Sequence, residues 1–90
     1  MVSESPSRLL TFPTDYPIKV VGRTGGTLRT RADAIITRHV PDLDQQLTTE
    51  RLSENGNFVS ISYSIRATSR EQVVALATEL SACPEIMMVL

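Results

Sequence analysis

Ninety residues suffice for one domain and one hydrophobic core, because two cores cannot be filled from so short a chain. The composition, 41% hydrophobic and 21% charged, is that of an ordinary globular domain, and 9 Lys+Arg against 10 Asp+Glu leave a formal charge of −1. That balance supplies no phosphate-seeking field, the single cysteine excludes an intramolecular disulfide, and the apolar run Ile86 to Leu90 is too short to span a bilayer.

Met1 to Arg8 is polar and rich in Pro and Ser, with no basic region leading into an apolar run. It reads as part of a flexible tail over residues 1–11 rather than a signal peptide, with a single domain over 12–90. With one cysteine and no leader, a cytoplasmic setting is expected. Leu9-Leu10-Thr11-Phe12-Pro13 is a short apolar lead-in suited to the domain's edge. Tyr16 to Gly22 reads as the first strand, and Gly22, Gly25 and Gly26 punctuate the loop after it.

A helix is expected from about Thr27 to His39, because Leu28, Ala32, Ile35, Ile36 and Val40 form one stripe of a 3.6-residue period. Pro41 stops it. Gln45 to Leu52 is a weaker strand. Asn57 to Ala67 is the clearest one, with Val59, Ile61, Tyr63 and Ile65 alternating with Ser60, Ser62, Ser64 and Arg66. Between them a three-residue loop Glu54-Asn55-Gly56, with Gly56 left-handed, sets Leu47 opposite Tyr63 and Thr49 opposite Ile61. A two-residue Asn-Gly turn would instead set Glu50 opposite Ile61 and is disfavoured for that reason. Thr68 with Glu71 reads as a capping box opening a second helix to about Ala82, which buries Val73, Leu76, Ala77 and Leu80. Cys83-Pro84 ends it, and Ile86 to Leu90 is the last strand.

Two strand-helix-strand units with right-handed crossovers give an α+β, ferredoxin-like βαββαβ two-layer sandwich. Its four-stranded antiparallel sheet has the order 4-1-3-2, with both helices on one face.

Phe12-Pro13, Pro17-Ile18-Lys19-Val20-Val21-Gly22, Arg38-His39-Val40-Pro41, Gly56-Asn57-Phe58-Val59-Ser60, Ala67-Thr68 with Glu71-Gln72-Val73, and Met88-Val89-Leu90 follow one another in the order and spacing of a known family. On these words the chain resembles the YbeD-like family of small, largely uncharacterised bacterial proteins. The resemblance implies a ferredoxin-like fold similar to the ACT domains, which regulate metabolic enzymes by binding small ligands. It also implies a gene-neighbourhood association with lipoate metabolism, and it brings no catalytic residues.

Three places could carry chemistry. Gly22, Arg23, Gly25, Gly26 and Thr27 form a loop between strand and helix where backbone N–H groups and a helix start could hold an anion, with Arg23 or Arg29 gripping it. The competing reading is a tight turn needing positive φ. In its sharp form the loop resembles the phosphate cradle of acylphosphatases, which share this topology. However, the second arginine expected there falls on Thr30, and a water-orienting Asn would have to come from Asn55 or Asn57 at a turn. RNA recognition by the sheet is disfavoured, since Glu54 stands where a base is expected and the first strand offers no aromatic on that face.

His39 lacks metal-ligand spacing and reads as a helix-end histidine, and Cys83 reads as a small inert hydrophobe. Asp42 and Asp44 read as solvating a linker. The third place is the sheet face away from the helices, where Val21, Leu52, Phe58, Met87 and Val89 are expected to form an apolar patch. No cofactor, metal, membrane or nucleic acid is expected. The expected function is a non-enzymatic regulatory or interaction module that binds a protein partner, itself, or a small ligand, with the acylphosphatase-like hydrolase as alternative.

Overall fold

The computed structural model describes residues 11–90, so the expected tail at 1–11 and the lead-in at Leu9 and Leu10 lie almost wholly outside the described residues. The elements are β1 (Thr14–Arg23), α1 (Leu28–His39), a single 3-10 turn (Gln45–Leu47), β2 (Thr49–Leu52), β3 (Phe58–Ala67), α2 (Arg70–Ala82) and β4 (Met88–Val89). The sheet runs β2-β3-β1-β4 with every pairing antiparallel, which is the expected order. No helix among the described residues is long and apolar enough to cross a membrane.

The periodicities that define the elements also define the core. All five residues of the α1 stripe, Leu28, Ala32, Ile35, Ile36 and Val40, are buried. They meet Ile18 and Val20 of β1, Ile61, Tyr63 and Ile65 of β3, and Leu76 and Leu80 of α2. Val73 packs against this core only partly buried, and Ala77 is likewise half-buried. Pro17 lies within β1 opposite Ser64. It is tolerated because β4 pairs with β1 only around Val20 and Val21, leaving the far edge of β1 free where the proline lacks its N–H.

The cap of α2 sits one residue later than expected. Ser69 is the N-cap, its Oγ accepting from the Gln72 N–H at 3.1 Å, while Gln72 Oε1 accepts from the Thr68 N–H at 2.7 Å. Glutamine fills the reciprocal position assigned to Glu71, because only a residue three after the cap reaches back over the first turn. Gln72 Nε2 also donates to the His39 carbonyl at 2.9 Å, joining the start of α2 to the end of α1. Ser69→Ala is expected to cost about 1 kcal/mol in urea denaturation, with a smaller loss for Thr68→Ala.

Two registers differ from expectation. In the hairpin, Glu50 faces Ile61 and Leu52 faces Val59, so the three-residue loop does not form. Ser53 N–H donates to the Phe58 carbonyl at 2.8 Å and Gly56 N–H to the Ser53 carbonyl at 2.9 Å, closing a loop over residues 54–57. Gly56 is left-handed as expected, at φ 74°. Leu47 belongs to the 3-10 turn, not to a strand, and is exposed.

The disfavoured register wins because Glu50 does not need an apolar setting. β2 is an edge strand exposed along its whole length, and Arg29 reaches Glu50 from α1. At the other edge Val89 pairs with Val20 and Met88 with Val21, one residue away from the expected alignment. Ile86 to Leu90 is apolar throughout and carries no alternation that could specify which side chains face the helices.

Candidate functional site

Two regions carry functional potential: the glycine loop between β1 and α1, and the open face of the sheet. In the loop the three glycines do different things. Gly22 belongs to β1 and is buried, and a Cβ there would lie 2.6 Å from the Glu85 carbonyl oxygen and 2.9 Å from Leu28 Cδ1. Its need is close approach, not positive φ. Gly25 alone in the loop has positive φ, at 82°, and Gly26 faces open space. The loop is stitched to the β2–β3 turn, with Thr24 Oγ1 donating to the Gly56 carbonyl at 2.7 Å and Thr24 N–H to the Asn57 carbonyl at 3.1 Å.

The start of α1, where an external anion could sit, already holds a carboxylate of the chain. Glu85 Oε2 accepts from Thr27 Oγ1 at 3.1 Å and lies 3.4 Å from Arg31 Nε. Hydrogen bonds from Cys83 and Thr27 hold the Glu85 carboxyl below its ordinary range. Of the two arginines that could grip an anion, Arg29 is held by its own partners, and Arg23 borders the loop clefts from an exposed position. The Arg23 guanidinium lies over the Phe58 ring on the open face, 5.5 Å from its centroid. Arg29 is saturated by Asp33, Glu50 and Gln45.

A cleft of about 270 Å³ opens beside the loop, lined by Leu28, Val59 and Ile61 and by the charged Arg23, Arg29 and Glu50. Arg29 brings no net positive charge to it, being flanked by two carboxylates. An acyl phosphate there would meet a neutralised Arg29 and one unpaired cation, Arg23, while the α1 start beside it is occupied by Glu85.

A polar network not anticipated from the sequence underlies that lining. Tyr63, fully buried in β3, donates its hydroxyl to Asp33 Oδ1 at 2.5 Å. Arg29 Nε donates to Asp33 Oδ1 at 3.0 Å and Oδ2 at 3.1 Å, and its Nη2 donates to Gln45 Oε1 at 2.7 Å. Burial opposes the Arg29 charge, but the hydrogen bonds to Glu50 and Asp33 outweigh it and raise the guanidinium above its ordinary value. Burial first, and then the bond to Asp33, drive the Tyr63 phenol far above the usual tyrosine range. The Arg29–Asp33 spacing of four was a readable helical pair. Glu50 became legible only with the correct register.

His39 stands at the end of α1, with Nε2 2.7 Å from Glu79 Oε1 on α2, and Arg38 also pairs with Glu79. Those contacts, that from His39 first, hold the Glu79 carboxyl below its ordinary range. The arrangement matches a helix-end histidine. Among the described residues no group of three or more His, Cys, Asp or Glu side chains could hold a metal ion.

The observed registers re-sort the expected apolar face. Val21 and Phe58 do lie on the side of the sheet away from the helices, both half-buried. Leu52 does not, since it pairs with Val59 on the helix side. Val89 pairs with Val20 and turns toward the core, and Met87 borders a cleft with Gly26, Leu28 and Pro84. Their places on the open face are taken by Met88, opposite Val21, and Leu90, which exchanges backbone hydrogen bonds with Lys19. Met88 is 52% exposed and Leu90 66%.

Residues 7–90 match the family model described as "Protein of unknown function (DUF493)". A UPF0250 protein of Ectopseudomonas mendocina is 44% identical over 80 residues, covering 88% of this chain and 87% of the relative. Another, from Shewanella sediminis, is 36% identical over 90 residues and covers 100% of both chains. Among solved structures, that of HP0495 from H. pylori superposes with a TM-score of 0.69 at 16% identity, over 100% of this chain and 94% of that one. The ACT domain from GTP pyrophosphokinase of Chlorobium tepidum superposes with a TM-score of 0.58 at 17% identity, over 86% and 97% respectively. At such identities the superpositions speak to fold alone.

Proposed function

The chain belongs to the DUF493 family, and from that premise we propose that it is a non-catalytic, ACT-like regulatory module that docks a protein partner on the open face of its sheet. The observation that carries this reading is the apolar patch of Val21, Phe58, Met88 and Leu90 on a face that no described element covers. In a two-layer sandwich that face should otherwise be polar, as it is at Ser60, Ser62 and the exposed Ser64 along β3. A hydrolytic role for the glycine loop has less support, because Glu85 fills the helix start and Arg29 is neutralised by Asp33 and Glu50.

Phe58→Asp is expected to abolish recovery of the partner from native lysate. Val74→Asp, an equally polar change at an exposed apolar position of α2, should leave recovery intact. Equal recovery by both variants, or turnover of acetyl phosphate that is lost in Arg23→Ala, would overturn the reading.

A further inference from the structure

The charges around the apolar patch are as one-sided as the patch is apolar. The strand registers place Lys19, Arg23, Arg51 and Arg66 on the open face, and among the described residues the one acidic side chain placed there by strand pairing is Asp15. Asp15 lies 3.2 Å from Arg66, opposite it at the far end of β1 and β3. Lys19, Arg23 and Arg51 are all exposed, and none forms an ion pair among the described residues. Lys19 and Arg23 flank Val21 two residues away on either side, roughly 7 Å each along the strand. Arg51 stands two strands across from Val21, beyond Ser60, and Met88 lies on the opposite side.

This local excess of three positive charges sits on a chain whose formal charge is −1. The acids have been drawn elsewhere: Asp33 and Glu50 to Arg29, Glu79 to Arg38 and His39, and Glu85 to Arg31.

Resting on the docking reading above, we infer that the partner element is an acidic amphipathic protein segment, its apolar side chains on Val21, Phe58, Met88 and Leu90 and its carboxylates facing Lys19, Arg23 and Arg51. Charge complementarity decides among occupants. A second copy docking by the same face would set these cations against their own counterparts, a like-charge juxtaposition that opposes association. Single-stranded nucleic acid would find one aromatic platform, Phe58, with serines at Ser60 and Ser62 on the same strand, and a chain with no overall positive field.

Methionine and leucine side chains instead suit aliphatic anchors on a protein. The Arg23 guanidinium, stacked on Phe58, has a planar fork of N–H donors that fits a carboxylate. Each exposed pair contributes little to affinity on its own, so the cations act chiefly on encounter rate and choice of partner.

The test uses two short helical peptides labelled for fluorescence anisotropy, identical except that one carries Leu and Glu and the other Leu and Lys, with an oligothymidylate as third probe. The Leu/Glu peptide should bind about ten-fold more tightly than the Leu/Lys peptide at low salt, with the difference shrinking as salt is added. The double variant Arg23→Glu with Arg51→Glu should reverse that order. Phe58→Asp, or Met88→Asp as a second and more exposed variant, should remove binding of the Leu/Glu peptide. Circular dichroism of each variant checks that the fold is kept. No binding of either peptide, equal binding of both, a preference unmoved by the double variant, or tighter binding of the oligothymidylate would each overturn the inference. If Phe58→Asp abolishes partner recovery while the peptides show no charge preference, the acidic chemistry fails and the docking face stands. If Phe58→Asp changes nothing, the face itself fails.

Discussion

Gly22→Ala is expected to destabilise the domain by about 3 kcal/mol, whereas Gly26→Ala changes stability by less than about 0.5 kcal/mol. The added methyl at position 22 would meet a backbone oxygen, that of Glu85, at 2.6 Å and the Leu28 side chain at 2.9 Å. Leu28 is buried at the first position of α1, and Glu85 lies in the turn that carries the chain from α2 to β4. Relief therefore requires moving the connection that delivers β4, not turning one flexible side chain. Gly25→Ala should fall between the two, at about 1 kcal/mol, because its φ of 82° is costly for any residue with a Cβ although no atom is close. Urea unfolding reads the series directly. With a slope typical of a small domain, the Gly22 variant loses roughly 2 M in midpoint. A phosphate cradle would have made all three glycines depend on a bound anion, whereas the observed geometry makes one of them a packing residue, one a turn residue and one dispensable. Equal effects at positions 22 and 26 would contradict that division.

The contrast among these glycines shows what could be read from the sequence and what could not. Strong periodicity was legible. The α1 stripe and the alternation of Ile61, Tyr63 and Ile65 identify buried faces because burying a polar residue at those positions would be costly, and all of them are buried. From those faces and right-handed crossovers the sheet order follows.

What failed lies at the edges of the sheet, where that cost is absent. Thr49–Leu52 is exposed throughout, so its inward side could accept Glu50 once Arg29 supplied a partner that is distant in sequence. Met88–Val89 lies in a run with no polar residue to mark its outer side. Both errors are one-residue slips, and each moves side chains to the opposite face. The open-face patch was thus anticipated in kind, through Val21 and Phe58, while Met88 and Leu90 had to be found from backbone pairing. The filling of the α1 start by Glu85 joins positions 58 residues apart and left no local signal.

The same long-range logic governs the second large effect, at Asp33. Asp33→Ala is expected to cost about 2 kcal/mol, because it leaves the hydroxyl of a fully buried tyrosine without its acceptor and removes one of the two carboxylates that neutralise Arg29. Tyr63→Phe should cost less, about 1 kcal/mol, since it removes the donor together with its need, and Asp33 keeps Arg29. The double variant should cost less than the two single losses added together, by about 1 kcal/mol, because both single changes break the one hydrogen bond. Additive losses would mean that the bond adds nothing to stability.

Alkaline titration tests the same contact independently. The folded-state value of Tyr63 is raised above the ordinary 10.0, so its contribution is fully present below pH 10 and is lost as pH rises beyond that, where the unfolded chain ionises first. Stability of the wild-type protein should therefore decline progressively above pH 10, and Tyr63→Phe should flatten that decline. Since Tyr63 joins β3 to α1 through Asp33, and Arg29 joins α1 to β2 through Glu50, this network ties the edge strand bearing Arg51 to the body of the domain. Loosening it should therefore weaken the docking proposed for the open face as well as lower the unfolding midpoint.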